Sequence, residues 1–114
     1  MIYLAGPYTH KDPAVVEARY QAHREACIEL MKKGFVVFSP IVHGHNLLPE
    51  LNHWKHDDWI SWDFGILKKC DMIYVLKLEG WEQSRGLEAE LEFAAKHNIL
   101  TAWLEVETPD AARI

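Results

Sequence analysis

The sequence predicts an α/β fold, a parallel sheet with helices packed on its faces. Short β-rich runs alternate with longer stretches of helical period. The first two strand-like runs end in turn-forming pairs, Gly6-Pro7 and Ser39-Pro40. The chain has 114 residues, which suits one domain spanning 1–114.

Residues 2–5 are a short apolar run, a strand that enters the Gly6-Pro7 turn. Residues 13–33 have helical period. Val15, Val16, Ala22, Ala26, Cys27, Leu30 and Met31 form its apolar stripe, and Gly34 is the C-terminal stop. Residues 35–38 read as a second strand. Residues 41–56 show no clear period and read as a long binding loop or lid. Residues 57–70 read as helix, 72–78 as strand, 84–97 as helix and 99–104 as the last strand. In such sheets a ligand sits beyond the carboxyl ends of the strands. The segments expected there are 6–10, 39–45 and 79–86.

Composition excludes several classes. No apolar run approaches the ~20 residues of a membrane helix. With 12 Lys plus Arg against 17 Asp plus Glu, the net charge is −5 and no basic stripe is available for a nucleic-acid polymer. Cys27 and Cys70 are too few for a disulfide framework, and no signal-peptide pattern opens the sequence. A reduced, cytoplasmic protein is expected.

Two carboxylates stand on the wrong helix faces. On a wheel of ~100° per residue, Leu87, Leu91, Phe93 and Ala94 share one arc, with Glu88, Glu92 and Lys96 opposite. Glu90 falls between Phe93 and Leu87, on the apolar side. In the preceding helix Asp63 falls among Trp59, Ile66, Leu67 and Cys70. A buried, unpaired carboxylate is costly or shifts its pKa. One such residue is readily a packing irregularity. Two on successive helices near the predicted ligand edge point to paired carboxylates for nucleophilic and acid/base work, notably at glycosidic carbons.

The segment from Gly80 through Ser84, Arg85 and Gly86 leads a strand into a helix N-terminus, where free amides favour an anion. Ser84 adds a hydroxyl, Arg85 charge, and Gly86 room for close approach. Ser84 equally suits a simple N-cap. Gly6, Pro7, Tyr8 and Thr9 make a second small turn that can close on the same phosphate or ribose.

These motifs resemble the nucleoside 2-deoxyribosyltransferase superfamily. The resemblance rests on Tyr3-Leu4-Ala5-Gly6-Pro7-Tyr8, Asp63-Phe64-Gly65-Ile66, Asp71 through Leu76, and Ser84-Arg85-Gly86-Leu87-Glu88-Ala89-Glu90-Leu91. It covers most of the chain. Gly80-Trp81 and Ser84-Arg85-Gly86 resemble a small subgroup of uncharacterised bacterial and phage proteins in that superfamily. The resemblance implies a flavodoxin-like (Rossmann-like) three-layer sandwich and cleavage of the N-glycosidic bond of a (deoxy)nucleoside or its 5′-monophosphate. It implies Glu90 as the nucleophile at the anomeric carbon, Asp63 as the group that protonates or orients the departing base, and Tyr3 as the hydrogen-bond partner of the nucleophile. Substrate binding falls to Gly6, Pro7, Tyr8, His43, Ser84, Arg85 and Gly86. Transferases of the superfamily carry Asp where Ser84 stands, and the nucleotide hydrolases carry Ser, so hydrolysis of a nucleotide is expected over base exchange. Glu88 and Glu92 depart from the hydrolases' glycine-richer helix start. The chain also ends soon after its last expected strand, whereas relatives extend further and donate C-terminal residues to a neighbour's site.

His43, His45, His53 and His56 cluster in 41–56, but their spacing matches no zinc signature, and no metal or other cofactor is expected. Trp54 and His43 are read as site residues. Trp59 and Trp62, on a helix's apolar arc, are read as core. Asp71 is read as tethering a loop. The expected partner is a small nucleoside or nucleotide. A homo-oligomer, dimer or larger, is expected, and either a partner subunit or the 41–56 loop completes the site. Rival readings are a deoxyribosyltransferase, a catalytically silent nucleotide-binding module and a metal-dependent hydrolase.

Overall fold

A computed structural model describes residues 1–105. The remaining C-terminal residues, including any that would reach a neighbour's site, lie outside the described residues. Four strands, β1 (Ile2–Ala5), β2 (Val37–Phe38), β3 (Met72–Leu76) and β4 (Leu100–Leu104), form one sheet in the order β2-β1-β3-β4. Every pairing is parallel. Four α-helices connect them, α1 (Pro13–Lys32), α2 (Pro40–His45), α3 (His56–Leu67) and α4 (Arg85–Lys96), with a 3₁₀ turn at Trp81–Gln83. The order is that of a flavodoxin-like fold, whose switch point lies between β1 and β3.

Side chains alternate across a strand. Tyr3, Ala5, Ile73 and Val75 face α3 and α4 and pack with Leu67, Leu87 and Ala94 into one core. Leu4, also fully buried, points to the opposite face of the sheet, toward α1. No helix among the described residues is long and apolar enough to cross a membrane.

Beyond shifts of a few residues at several element ends, three features differ from the sequence reading. The second strand shrinks to Val37–Phe38, leaving Phe35 and Val36 exposed. The cause is the end of α1. Gly34 adopts φ 92°, its amide donates to the Met31 carbonyl (3.0 Å), and the Phe35 amide donates to the Leu30 carbonyl (3.1 Å). This left-handed cap consumes the donor Phe35 would need for the sheet. The stretch 41–56 is not all loop. Ser39 accepts from the Val42 amide (3.2 Å) and Pro40 occupies the first turn, so the pair that closes β2 also starts α2. Finally, the buried face of α1 runs Val15, Arg19, His23, Leu30, whereas Met31 is 60% exposed. The helix buries two polar residues because loop carbonyls await them.

Candidate active site

A cavity of about 560 Å³ opens at the carboxyl ends of β1 and β3. Three groups of residues build it. The turn after β1 contributes Gly6, Tyr8 and Thr9; the start of α4 contributes Ser84, Arg85, Gly86 and Glu90; α3 contributes Trp59, Ile60 and Asp63. Pro40, Gly44 and His45 of α2, with Trp54, close the far side.

Glu90 is 6% exposed, and the Tyr3 hydroxyl donates to its Oε2. Burial pushes Glu90 up to about 8, aided by the nearby charge of Asp63 and opposed by the Tyr3 hydrogen bond. Burial likewise pushes Asp63 up to about 7, against a smaller pull from the Tyr3 hydroxyl. Tyr3 itself is held well above its ordinary value by burial and by both carboxylates, so it remains a donor. Near neutral pH this group therefore holds protons that exposed carboxylates would have lost. A carboxylate pair with a fixed phenol can supply a nucleophile and a proton donor to one ligand.

At the α4 N-terminus Ser84 does what a cap does: its Oγ accepts from the Leu87 amide (3.2 Å). It also lines the cavity, so the two readings of Ser84 coexist. A side chain at Gly86 would meet no atom within 4 Å, which leaves open space beside the helix amides. Arg85 is exposed and joins no ion pair among the described residues.

The sequence matches a domain family of unknown function, DUF1937, over residues 1–104. The chain belongs to that family. No curated protein matches it.

In this DUF1937 domain most of the expected site residues converge, and two do not. Pro7 is buried away from the cavity, and its carbonyl lies 3.3 Å from His23 Nε2. His23 is fully enclosed and burial pushes it down to about 4, so it stays neutral. Gly6 is required by that packing: a Cβ there would sit 2.6 Å from His23 Cε1. His43 also misses the cavity. It stacks on Trp62 at 5.1 Å, in an exposed aromatic pair beside Phe38. The reason is α2 itself, on which His43 and His45 lie ~200° apart.

The residues missed by sequence reasoning are His45, Arg19, Glu17 and Trp59. His45 lines the cavity, bonds Tyr8 and stacks on Tyr20. Trp59 is not core: with Trp54 it forms an edge-to-face pair (4.8 Å) on the cavity wall. Trp62, read as core, is 37% exposed. Arg19 is 2% exposed and donates to the carbonyls of Thr9 (2.9 Å) and Glu79 (3.1 Å), tying the turn after β1 to the one after β3. The available signal was an Arg and a His four residues apart on a helix whose other same-face neighbours, Val15 and Leu30, are apolar. Asp71 tethers the N-terminal amine of Met1 (2.5 Å), not a loop. Among the described residues no group of three or more His, Cys, Asp or Glu is arranged to hold a metal ion.

Proposed function

We propose that this protein is an N-glycosidase that cleaves the N-glycosidic bond of a (deoxy)nucleoside 5′-monophosphate or nucleoside by hydrolysis. What carries the reading is the meeting of Glu90 and Asp63, from successive helices, at a cavity where a buried phenol holds one of them. In this scheme an ionised Glu90 oxygen attacks the anomeric carbon, and the carbon–nitrogen bond breaks with its electron pair on the base. Asp63, raised to about 7, gives its proton to the departing nitrogen. Water then attacks the glycosyl-enzyme ester while Asp63 takes up the water's proton, which restores both carboxyls. The active form carries a single proton on the pair, placed on Asp63, which is the minority arrangement for groups at about 7 and about 8. Tyr3 keeps the nucleophile oriented and is itself unchanged. The open helix N-terminus at Ser84 and Gly86 suits a 5′-phosphate, and Trp54 and Trp59 offer ring faces to a base. The resemblance to the nucleoside 2-deoxyribosyltransferase superfamily supports the same assignment for Tyr3, Asp63 and Glu90. The same relatives motivate a homo-oligomer, and the two free cysteines motivate a cytoplasmic setting.

The test is release of free base from a panel of nucleosides and their 5′-monophosphates, followed by chromatography. Release that falls by several powers of ten in Glu90→Gln supports the scheme. Near-normal release in that variant overturns the nucleophile. Tight binding without release would instead indicate a silent module. A new nucleoside on adding a second free base would indicate transfer, and loss of release on chelation a metal-dependent enzyme.

A further inference from the structure

The cavity holds a second hydrogen-bonded unit that the proposed chemistry leaves unused. The Tyr8 hydroxyl lies 2.7 Å from His45 Nδ1, and His45 Nε2 lies 3.2 Å from Glu17 Oε2. Tyr20 stacks on the His45 ring at 3.8 Å and 17°, fixing its plane. The Tyr20 hydroxyl is in turn 3.4 Å from Asn46 Oδ1. Three elements thus converge on one imidazole: α1 through Glu17 and Tyr20, the turn after β1 through Tyr8, and α2, which carries His45 itself. Tyr8 and His45 both line the cavity, whereas Glu17 is exposed outside it.

We propose that this Glu17–His45–Tyr8 chain determines substrate specificity by setting whether Tyr8 offers the bound base a hydrogen-bond acceptor or a donor. The argument is proton counting. A carboxylate can only accept, so Glu17 Oε2 takes the proton on Nε2. With His45 neutral, Nδ1 then has a lone pair and accepts a hydrogen bond from the Tyr8 hydroxyl. The Tyr8 oxygen is left with lone pairs for the cavity, and it selects a base that presents an N–H there. With His45 protonated, Nδ1 donates to the Tyr8 oxygen. The Tyr8 O–H then turns into the cavity as a donor, and the selected group becomes a carbonyl or ring nitrogen. The phenol keeps its proton throughout, because burial and the charge of Glu17 push Tyr8 above its ordinary value. The other charged or titratable groups around the cavity are Asp63, Glu90, Arg85 and His56; His43, on α2 itself, is turned away against Trp62.

This inference rests on the nucleotide reading of the cavity and names the feature of the base that is read. Its test compares two purine nucleoside 5′-monophosphates, one 6-amino and one 6-oxo, whose hydrogen-bonding sense is opposite at the 6-position and, in the reverse order, at N1. Binding is measured by calorimetry in Glu90→Gln, so that no turnover intervenes, from acid to mildly alkaline pH. The ratio of the two dissociation constants cancels whatever Asp63 and Arg85 do to both ligands alike. The ratio is expected to shift about tenfold between the two ends, the scale of one hydrogen bond gained or lost. At the acid end it moves toward the oxo ligand where Tyr8 meets the 6-position, and toward the amino ligand where Tyr8 meets N1. Adding Tyr8→Phe or His45→Gln should flatten the ratio while both ligands still bind. A ratio that is independent of pH before those changes, or unaltered by Tyr8→Phe, overturns the proposal. Base release by wild type together with a flat ratio sinks this inference alone. A ratio that flips without base release sinks the glycosidase alone. Binding of neither ligand sinks this inference, and base release from no member of the panel sinks the glycosidase.

Discussion

Exchanging Glu90 for Gln should make the protein more stable while removing its proposed chemistry. Burial holds the Glu90 carboxyl up to about 8 in the folded chain, against an ordinary value of 4.5. Unfolding returns it to water. Between those two values the folded chain keeps a proton that the unfolded chain has released, so wild-type stability falls as pH rises through that window. Below the lower value both states carry the proton and nothing is lost. Above the upper value the loss is complete. At about 1.4 kcal/mol for each tenfold change, the full displacement is about 4 to 5 kcal/mol. Gln has nearly the same shape, its carbonyl still accepts from Tyr3, and it never ionises. The variant and wild type should therefore unfold alike near pH 4. Near pH 7 the variant should lead by about 3 kcal/mol, or about 12 °C in Tm for a domain of this size. Thermal unfolding followed by circular dichroism across that pH range measures the gap directly. Asp63 is common to both proteins, and it enters the difference only through the repulsion already contained in the Glu90 shift. Two melting curves that stay parallel from acid to neutral pH would refute the reasoning, since the carboxyl would then be equally at ease in both states.

Further expectations follow from the same geometry. The rate of base release should peak between about 7 and about 8, where the pair carries one proton, and fall on both sides as Glu90 and Asp63 are both protonated or both ionised; a rate still climbing well above that window would remove Asp63 as the proton donor. Gly6→Ala puts a Cβ 2.6 Å from His23 Cε1, and His23 is fully enclosed. Urea unfolding should show a loss of about 1–3 kcal/mol, and no loss would mean that the β1 turn yields freely. Arg19→Met keeps the stem of the side chain and removes its donors to the Thr9 and Glu79 carbonyls. It should lower stability by about 2–3 kcal/mol and raise KM, and an unchanged KM would show that the two turns hold their places without it.

The carboxylate half of the candidate site is legible in the sequence because it is written in helical phase. Glu90 and Asp63 break the apolar arcs of α4 and α3, and a wheel detects that without knowing what lies opposite. Tyr3 entered through family resemblance alone, since nothing local distinguishes it from any other strand residue. The far wall was hidden for a different reason. Ser39-Pro40 ends a strand and starts a helix with the same two residues, and only one of those signals was read. With α2 unrecognised, His43 and His45 looked equivalent, and the wrong one was chosen. Arg19 and His23 were missed because polar residues on a helix are assumed to face water. Their partners are backbone carbonyls of turns far away in sequence, to which a one-dimensional pattern is blind. The shortened β2 has the same origin, since the Phe35 amide is spent on ending α1.

Tyr3 lies on β1, which is flanked on one side by β2 and on the other by β3. A residue in such a strand exchanges its amide hydrogen only when the whole sheet opens. The wall of Trp54 and His45 stands instead on short turns and a six-residue helix. Mild denaturant should therefore loosen the grip on a ligand well before it disturbs the Tyr3–Glu90 pair. The proposed chemistry of this domain is anchored in the last part to melt, and its proposed selectivity in one of the first.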